Sequence, residues 1–523
     1  MTTETIPAKQ SAVQLVGPDQ LALNTSKEVF QPGDHQILGK IEVVGLCFSD
    51  LKLLKQFNGH VRKSDVITGI DAKALPEIPS YVPNDKPTVP GHETVVRIVK
   101  IGAKVKSVKV GDRRLVQTDY RWLKTANSNA AFGYNFEGAL QEFVLMDERV
   151  ITSPDGESML IPAAGDLSAS AIALVEPWAC VEDSYVVRER QGPKKGGKAM
   201  TIGGANFDAA SLDKIANESL DDILFMGADA ALLEKAFTKI AKNGLVTIVQ
   251  CGQKFGRAVN TPVGRVHYGN VRIIGTTGSN PADAYAAIPP TGEIRPNDAI
   301  NIIGAAGPMG TMHVIRDICQ GVSGVSVFAG DMSDDRLAGL HSVAAPLAQK
   351  NGVKFATYNP KTSPAAGPFG YIGLMVPAPA LVEAAVQQVA PRGRINIFAG
   401  IAATVWHPIS LDAYVERQAY FIGTSGSDLS DMKLVLKKVE SRALDTNLSV
   451  AAISGLDGAV EGIRAVEKQL IPGKILVYPQ CKGLGLTPLT KLAAVLPAVA
   501  ALLDNGVWNQ KAEKKLLESY AGK

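Results

Sequence analysis

The sequence predicts an α/β protein: a β-rich N-terminal domain, then a doubly wound parallel sheet enlarged by an incomplete second copy of itself. Three observations predict it. Short β-branched segments punctuated by glycine turns fill residues 36–180. The stretch "INIIGAAGPMG", Ile300–Gly310, runs an apolar strand into a glycine-rich turn and opens a helical pattern. Two segments that each read strand, helix, glycine turn, strand match one another at a spacing of 149 residues.

At 523 residues the chain exceeds one simple core. Its 46% apolar and 20% charged residues are ordinary for a soluble globular protein. A net charge of +3 implies neither nucleic acid nor a membrane surface as partner. The N-terminus lacks an apolar core of signal-peptide length. Leu492–Leu503, interrupted by Pro497, is too short to span a bilayer, which takes roughly 20 residues. The five cysteines, at 47, 180, 251, 319 and 481, are sparse and widely spaced, which points to a reducing cytoplasm. No Cys-x-x-Cys pair occurs, so a closed four-cysteine zinc site is excluded.

Within the β-rich part, Cys47, His92 and a carboxylate would suit a zinc ion, because three protein ligands leave a fourth position open for water or substrate. A cysteine and a histidine 45 residues apart also fit a buried core pair. The surrounding words decide between them. "GLCFSD" (Gly45–Asp50), "PGHETVVRIVKIG" (Pro90–Gly102), "GALQEFVLMDERVI" (Gly138–Ile151) and "LVEPWACVEDSY" (Leu174–Tyr185) together resemble the zinc-dependent medium-chain dehydrogenase/reductase family, in the family's order.

The resemblance implies a GroES-like catalytic domain and a Rossmann cofactor domain. It places Cys47 and His92 as the first two zinc ligands and Glu176 as the third, with Glu93 a carboxylate able to exchange onto the metal. It makes Ser49 the hydroxyl that moves the substrate proton, and Asp50 the carboxylate that orients His92. Two departures stand out. Lys52 occupies the family's usual relay histidine position. The cysteine-rich lobe for a second zinc is replaced by "YRWLKTANSNAAFGYNFEG", so one zinc per chain is expected. Arg121, Lys124, Tyr134 and Asn135 in that lobe could bind a polyol or phosphate, but a solvated loop is the preferred reading.

In the cofactor domain, Gly304, Gly307 and Gly310 allow a tight turn and close backbone approach to a pyrophosphate. Asp331 lies 21 residues after Gly310, where a carboxylate binds a ribose 2′-hydroxyl, so NAD is favoured over NADP. Arg336 tempers that preference. Upstream, Asp222–Gly252 aligns with Tyr371–Gly400, matching Leu232 with Leu381, Gly244 with Gly393 and Ile248 with Ile397. "RIIGTTGS" (Arg272–Ser279) mirrors "YFIGTSGS" (Tyr420–Ser427). The first copy keeps Gly203 and Gly204 but not the full glycine series. It reads as a degenerate structural insert, with a second nucleotide or regulatory site as the alternative.

The expected domains are 1–190 (GroES-like, completed by 432–480), 191–297 (half-copy), 298–431 (NAD-binding Rossmann domain) and 481–523 (helical extension). The tail reads as helical on either side of Gly506, with apolar spacing at Leu489, Leu492, Val495 and Ala498, and would cap the fold or build a subunit interface. The expected activity is zinc- and NAD-dependent interconversion of a secondary alcohol and a ketone. The substrate would be a small molecule, a polyol, sugar or sugar phosphate, handled by a cytoplasmic homo-oligomer (dimer or tetramer). Two other readings stay open: sugar oxidation with elimination or epimerisation and retained NAD, or a scaffold or sensor with a vestigial site.

Overall fold

Hydrophobic β-branched runs pair into sheets, and the chain of the computed structural model, described for residues 6–521, gathers them into two units. One unit comprises residues 1–179 and 427–523; the other spans 180–426.

The first unit is built on a mixed sheet. Its strands run in the order Thr487–Pro488, Val450–Ser454, Lys474–Val477, Gln36–Gly45, Glu93–Ile101, Arg113–Val116 and Leu160–Pro162. Phe143–Asp147 also pairs with Gln36–Gly45. The central strand, "QILGKIEVVG", is buried along nearly its whole length, and the alternating "ETVVRIVKI" packs beside it antiparallel. Leu476 pairs with Gly45, which brings Lys474–Val477 back onto the central strand from more than 400 residues downstream.

The substituted lobe forms a hairpin, Asp119–Lys124 with Asn129–Ala131. Arg121 and Lys124 are exposed as a solvated loop would have them, but Tyr134 and Asn135 are buried. Asn135 accepts from the Ala131 N–H and donates to Ser64, so the segment is tied into the core. The tail is helical on both sides of Gly506. Pro497 splits its first part into Leu492–Val495 and Pro497–Ala500, leaving Val495 and Ala498 exposed while Leu492 and Val499 are buried.

The second unit holds two parallel sheets. Six strands lie in the order Lys354–Tyr358, Ser326–Gly330, Ala299–Ile303, Phe369–Leu374, Val389–Ile397 and Tyr420–Ile422. Read along the chain this is the 3-2-1-4-5-6 order of a doubly wound sheet, whose switch point lies beside Ala299–Ile303. The half-copy forms four strands, Ala199–Gly203, Leu220–Met226, Ile240–Val249 and Arg272–Thr276, in that order. It therefore reproduces the first strand and the last three, and omits the second and third. After Gly203 it has only a short 3-10 turn, Ala209–Lys214, where the complete copy has the twelve-residue helix Pro308–Cys319. No described helix is long and apolar enough to cross a membrane.

The helix Gln510–Tyr520 is anchored through a buried acid. The Glu513 carboxylate accepts from the N–H groups of Ala169 (2.6 Å) and Ser170 (2.8 Å) and from the Tyr478 hydroxyl (2.9 Å). The first two are orphan donors at the start of helix Ala169–Ala173. Trp508 in turn donates to the Tyr478 oxygen at 3.0 Å. Replacing Glu513 with Ala strips a charged acceptor from three buried donors. Glu513→Ala should cost about 2–3 kcal/mol in denaturant unfolding, whereas Lys515→Ala, on the exposed side, should change stability by less than about 0.5 kcal/mol.

Candidate active site

Cys47 ends the first buried segment and starts helix Phe48–Gln56; the Asp50 carboxylate accepts from the Cys47 N–H at 3.2 Å. This fixes Cys47, Ser49 and Asp50 in one turn. His92 precedes strand Glu93–Ile101 and follows Gly91, whose φ of +93° makes the bend. A Cβ there would press on Leu140 and Val44 at 3.0 Å, so the bend and the close packing both call for glycine.

The result is one cluster. The Cys47 Sγ, a His92 ring nitrogen and a Glu93 carboxylate oxygen all lie within 4.8 Å of one another. The Ser49 hydroxyl sits 3.0 Å from the Cys47 sulfur and 3.0 Å from His92 Nε2. On the other side of the ring, His92 Nδ1 faces the Asp50 carboxylate at 3.1 Å. Burial disfavours the imidazolium, but Asp50 and then Tyr134 outweigh it and hold the His92 pKa well above its usual value.

Glu176 opens helix Val175–Val186 and is buried, but it is not one of the three clustered donors. It is close enough to feel His92, Glu93, Lys474 and Asp50. Burial pushes its carboxyl up, with His92 opposing and Glu93 reinforcing the rise.

Lys474 is the charge that balances the cluster, and no local motif marks it. Its ammonium donates to Glu93 Oε1 at 2.5 Å and to the Leu46 carbonyl at 2.8 Å. Burial works against the ammonium, and Glu93, Cys47 and Glu176 more than restore it, raising its pKa. Glu93 Oε2 remains buried without a hydrogen-bond partner. An unpartnered buried carboxylate oxygen beside a thiol and an imidazole is the donor set a zinc ion takes, so these residues fit the metal.

Three further groups flank the cluster. The Tyr134 ring lies 5.9 Å from His92 and 5.1 Å from His60, and the Arg62 guanidinium stands 5.6 Å over it. Burial, then Arg62 and Lys52, push His60 down to about 4. His60 is therefore a neutral group in a positively charged surrounding. Lys52 itself is exposed.

In the second unit, the glycine turn precedes helix Pro308–Cys319. Gly304 has φ +81°, and a Cβ on Gly310 would lie 2.2 Å from the Gly304 carbonyl oxygen. Gly307, at the N-cap, offers no side-chain acceptor, so the first-turn N–H groups stay available to an anion. Asp331 follows strand Ser326–Gly330 and is buried. Its carboxylate accepts from the Ser333 N–H at 3.1 Å and from Arg336 at 2.6 Å. These features fit a dinucleotide, and they bring all five residues expected for it to one end of the sheet.

Residues 33–155 match the model of the alcohol dehydrogenase GroES-like domain. That stretch therefore carries the GroES-like domain that the sequence resemblance implies. Among curated relatives, L-sorbose 1-phosphate reductase of Klebsiella pneumoniae is 28% identical over 43% of this chain and 56% of its own length. Mannitol-1-phosphate 5-dehydrogenase of Aliivibrio fischeri is 27% identical over 43% of this chain and 58% of its own. The chain thus matches little more than half the length of these relatives. The fold resembles 2R,3R-butanediol dehydrogenase from Bacillus subtilis with a TM-score of 0.53 at 15% identity, covering 90% of this chain and all of that one.

The Lys474–Glu93 pair can be tested by substitution. Lys474→Met leaves a buried carboxylate uncompensated and should destabilise the chain by about 3–5 kcal/mol. Adding Glu93→Gln should recover most of that loss in a double-mutant cycle by urea unfolding. Additive losses in the double variant would show that the two groups do not act as a pair.

Proposed function

We propose that this chain is a zinc- and NAD-dependent oxidoreductase that interconverts a secondary alcohol and a ketone. The observation that carries the reading is the convergence of a thiol, an imidazole and a carboxylate within 4.8 Å, one carboxylate oxygen being buried and unpartnered. Cys47 and His92 would hold one zinc ion per chain, with Glu93 as the clustered third ligand and Glu176 positioned to exchange with it. Bound zinc supplies Lewis acidity toward the substrate oxygen, and bound NAD supplies the hydride acceptor.

The chain's own groups then have definite tasks. Asp50 faces His92 Nδ1 and would hold a proton there, leaving Nε2 as the ring nitrogen that could serve as a metal ligand. Ser49 takes the proton of the substrate hydroxyl. Tyr134, a buried phenol within hydrogen-bond reach of the Ser49 hydroxyl, is the next polar group along this relay and takes the place of the histidine that Lys52 displaces. Gly304, Gly307 and Gly310 seat the pyrophosphate, and Asp331 binds the ribose hydroxyls, which favours NAD over NADP.

For the substrate we infer a polyol, sugar or sugar phosphate. Relatives named for L-sorbose 1-phosphate and mannitol 1-phosphate support a phosphorylated substrate. Arg62 and Lys52, whose charges reach His60, supply cations that would favour the phosphate. The proposal includes a cytoplasmic setting and a homo-oligomeric state.

A panel of polyols, sugars and their phosphates, followed by nicotinamide absorbance, tests the reading. At least one polyol or sugar compound should be turned over, and Cys47→Ser should abolish both the turnover and the bound zinc seen by metal analysis. Wild-type rates in Cys47→Ser would sink the metal mechanism. Asp331→Ser should shift preference from NAD toward NADP by about tenfold or more, since about 1.4 kcal/mol of lost ribose contact and relieved phosphate repulsion suffices. An unchanged ratio of kcat/KM values for the two cofactors would remove Asp331 from the binding site.

A further inference from the structure

The half-copy and the complete copy are not merely similar; they face one another across a two-fold axis. Strand Val259–Thr261 pairs antiparallel with strand His407–Ile409, with Val259 opposite Ile409, Asn260 opposite Pro408 and Thr261 opposite His407. In the repeat alignment that carries Arg272 onto Tyr420, Val259 corresponds to His407, Asn260 to Pro408 and Thr261 to Ile409. Each end of the strand therefore meets the counterpart of its opposite end, and Asn260 meets its own counterpart. That reciprocity defines an isologous contact, normally made by two identical chains.

Packing elsewhere repeats the pattern. A Cβ on Gly275 would meet Val415 at 2.5 Å, and a Cβ on its counterpart Gly423 would meet His267, the counterpart of Val415, at 2.8 Å. Gly264 lies so close to the Ala402–Ala403 backbone that a Cβ would fall 1.9 Å from the Ala402 oxygen. Its counterpart Asp412 instead sends a carboxylate to the N–H groups of Phe255 and Gly256, at 3.0 Å each. Both copies also keep the same internal bond, Asn243 N–H to Gly269 and Arg392 N–H to Arg417, each 2.7 Å. One hydrophobic cluster spans them, running from Phe237, Val263 and Ile273 to Ile397, Tyr414 and Phe421. On the dyad, the counterparts Arg272 and Tyr420 donate to a single acceptor, Glu189, at 2.8 and 2.7 Å.

A parallel sheet ending at Tyr420–Ile422 has an edge that must be covered, and pairing with a second copy is one way to cover it. We propose that the half-copy is a built-in stand-in for a second chain: it occupies, in cis, the self-complementary face of the complete copy. The strands nearest this contact have been kept, whereas the second and third strands, which lie farthest from it in the complete copy, and the turn helix are absent. Association between chains uses other faces.

Bridging across the dyad tests the assignment. Asn260→Cys and Pro408→Cys are introduced together with Cys251→Ser, which removes the one exposed native thiol. Tagged and untagged chains are mixed, treated with a short bis-maleimide, and separated under denaturing conditions, with the Cys251→Ser chain as control. The expected product is a bridge within one chain, migrating at the single-chain mass and mapped by peptide mass spectrometry to positions 260 and 408. A tagged–untagged product bridged at those positions would overturn the proposal, because the face would then be shared between chains. Failure of the two positions to bridge in either form would overturn it as well.

Discussion

A carboxylate kept dry needs a cation, and in the first unit that need joins residues nearly four hundred positions apart. Glu93 lies at the start of its strand with no access to water, and Lys474 answers it from the strand that returns to the same sheet. The same ammonium holds the Leu46 carbonyl, the residue before Cys47. One buried charge therefore fixes the relative height of three strands and, through them, the spacing of sulfur, imidazole and carboxylate. Without it, gathering two acids beside a thiol in a low-dielectric interior would be costly rather than organising.

Much of this was legible in the chain because local words carry it. "GLCFSD" contains a helix start, its capping carboxylate and the thiol within six residues, and "PGHET" contains the bend and two donors. Ligand choice was less legible. Glu176 and Glu93 are both acids in suitable words, and only three-dimensional placement puts Glu93 in the donor cluster and Glu176 outside it. Lys474, in "PGKILVYP", reads as a surface lysine at a strand start; its role depends on strand order, which no local pattern encodes. His60 and Arg62 were invisible for the same reason. The tail's helical spacing was legible, but Pro497 divides its first part into two short helices, a break that periodicity alone does not mark.

The second unit was read well at the level of its repeat, because a spacing of 149 residues survives divergence of the side chains. The glycine turn and Asp331 lie where a doubly wound sheet positions such residues. What the repeat did not reveal was the relation between its copies. Direct succession along the chain suggests tandem stacking, whereas the short strands Val259–Thr261 and His407–Ile409 impose a two-fold axis.

Symmetry inside one chain differs from symmetry between two. In a homodimer a given position carries the same residue in both chains, so an acid lying between the two copies of that position meets two arginines or two tyrosines. Here the two positions are encoded separately. Glu189 receives a guanidinium from Arg272 and a phenol from Tyr420, a pairing that identical subunits cannot make. With both copies in one chain, each position can vary alone, and the centre of this contact is asymmetric.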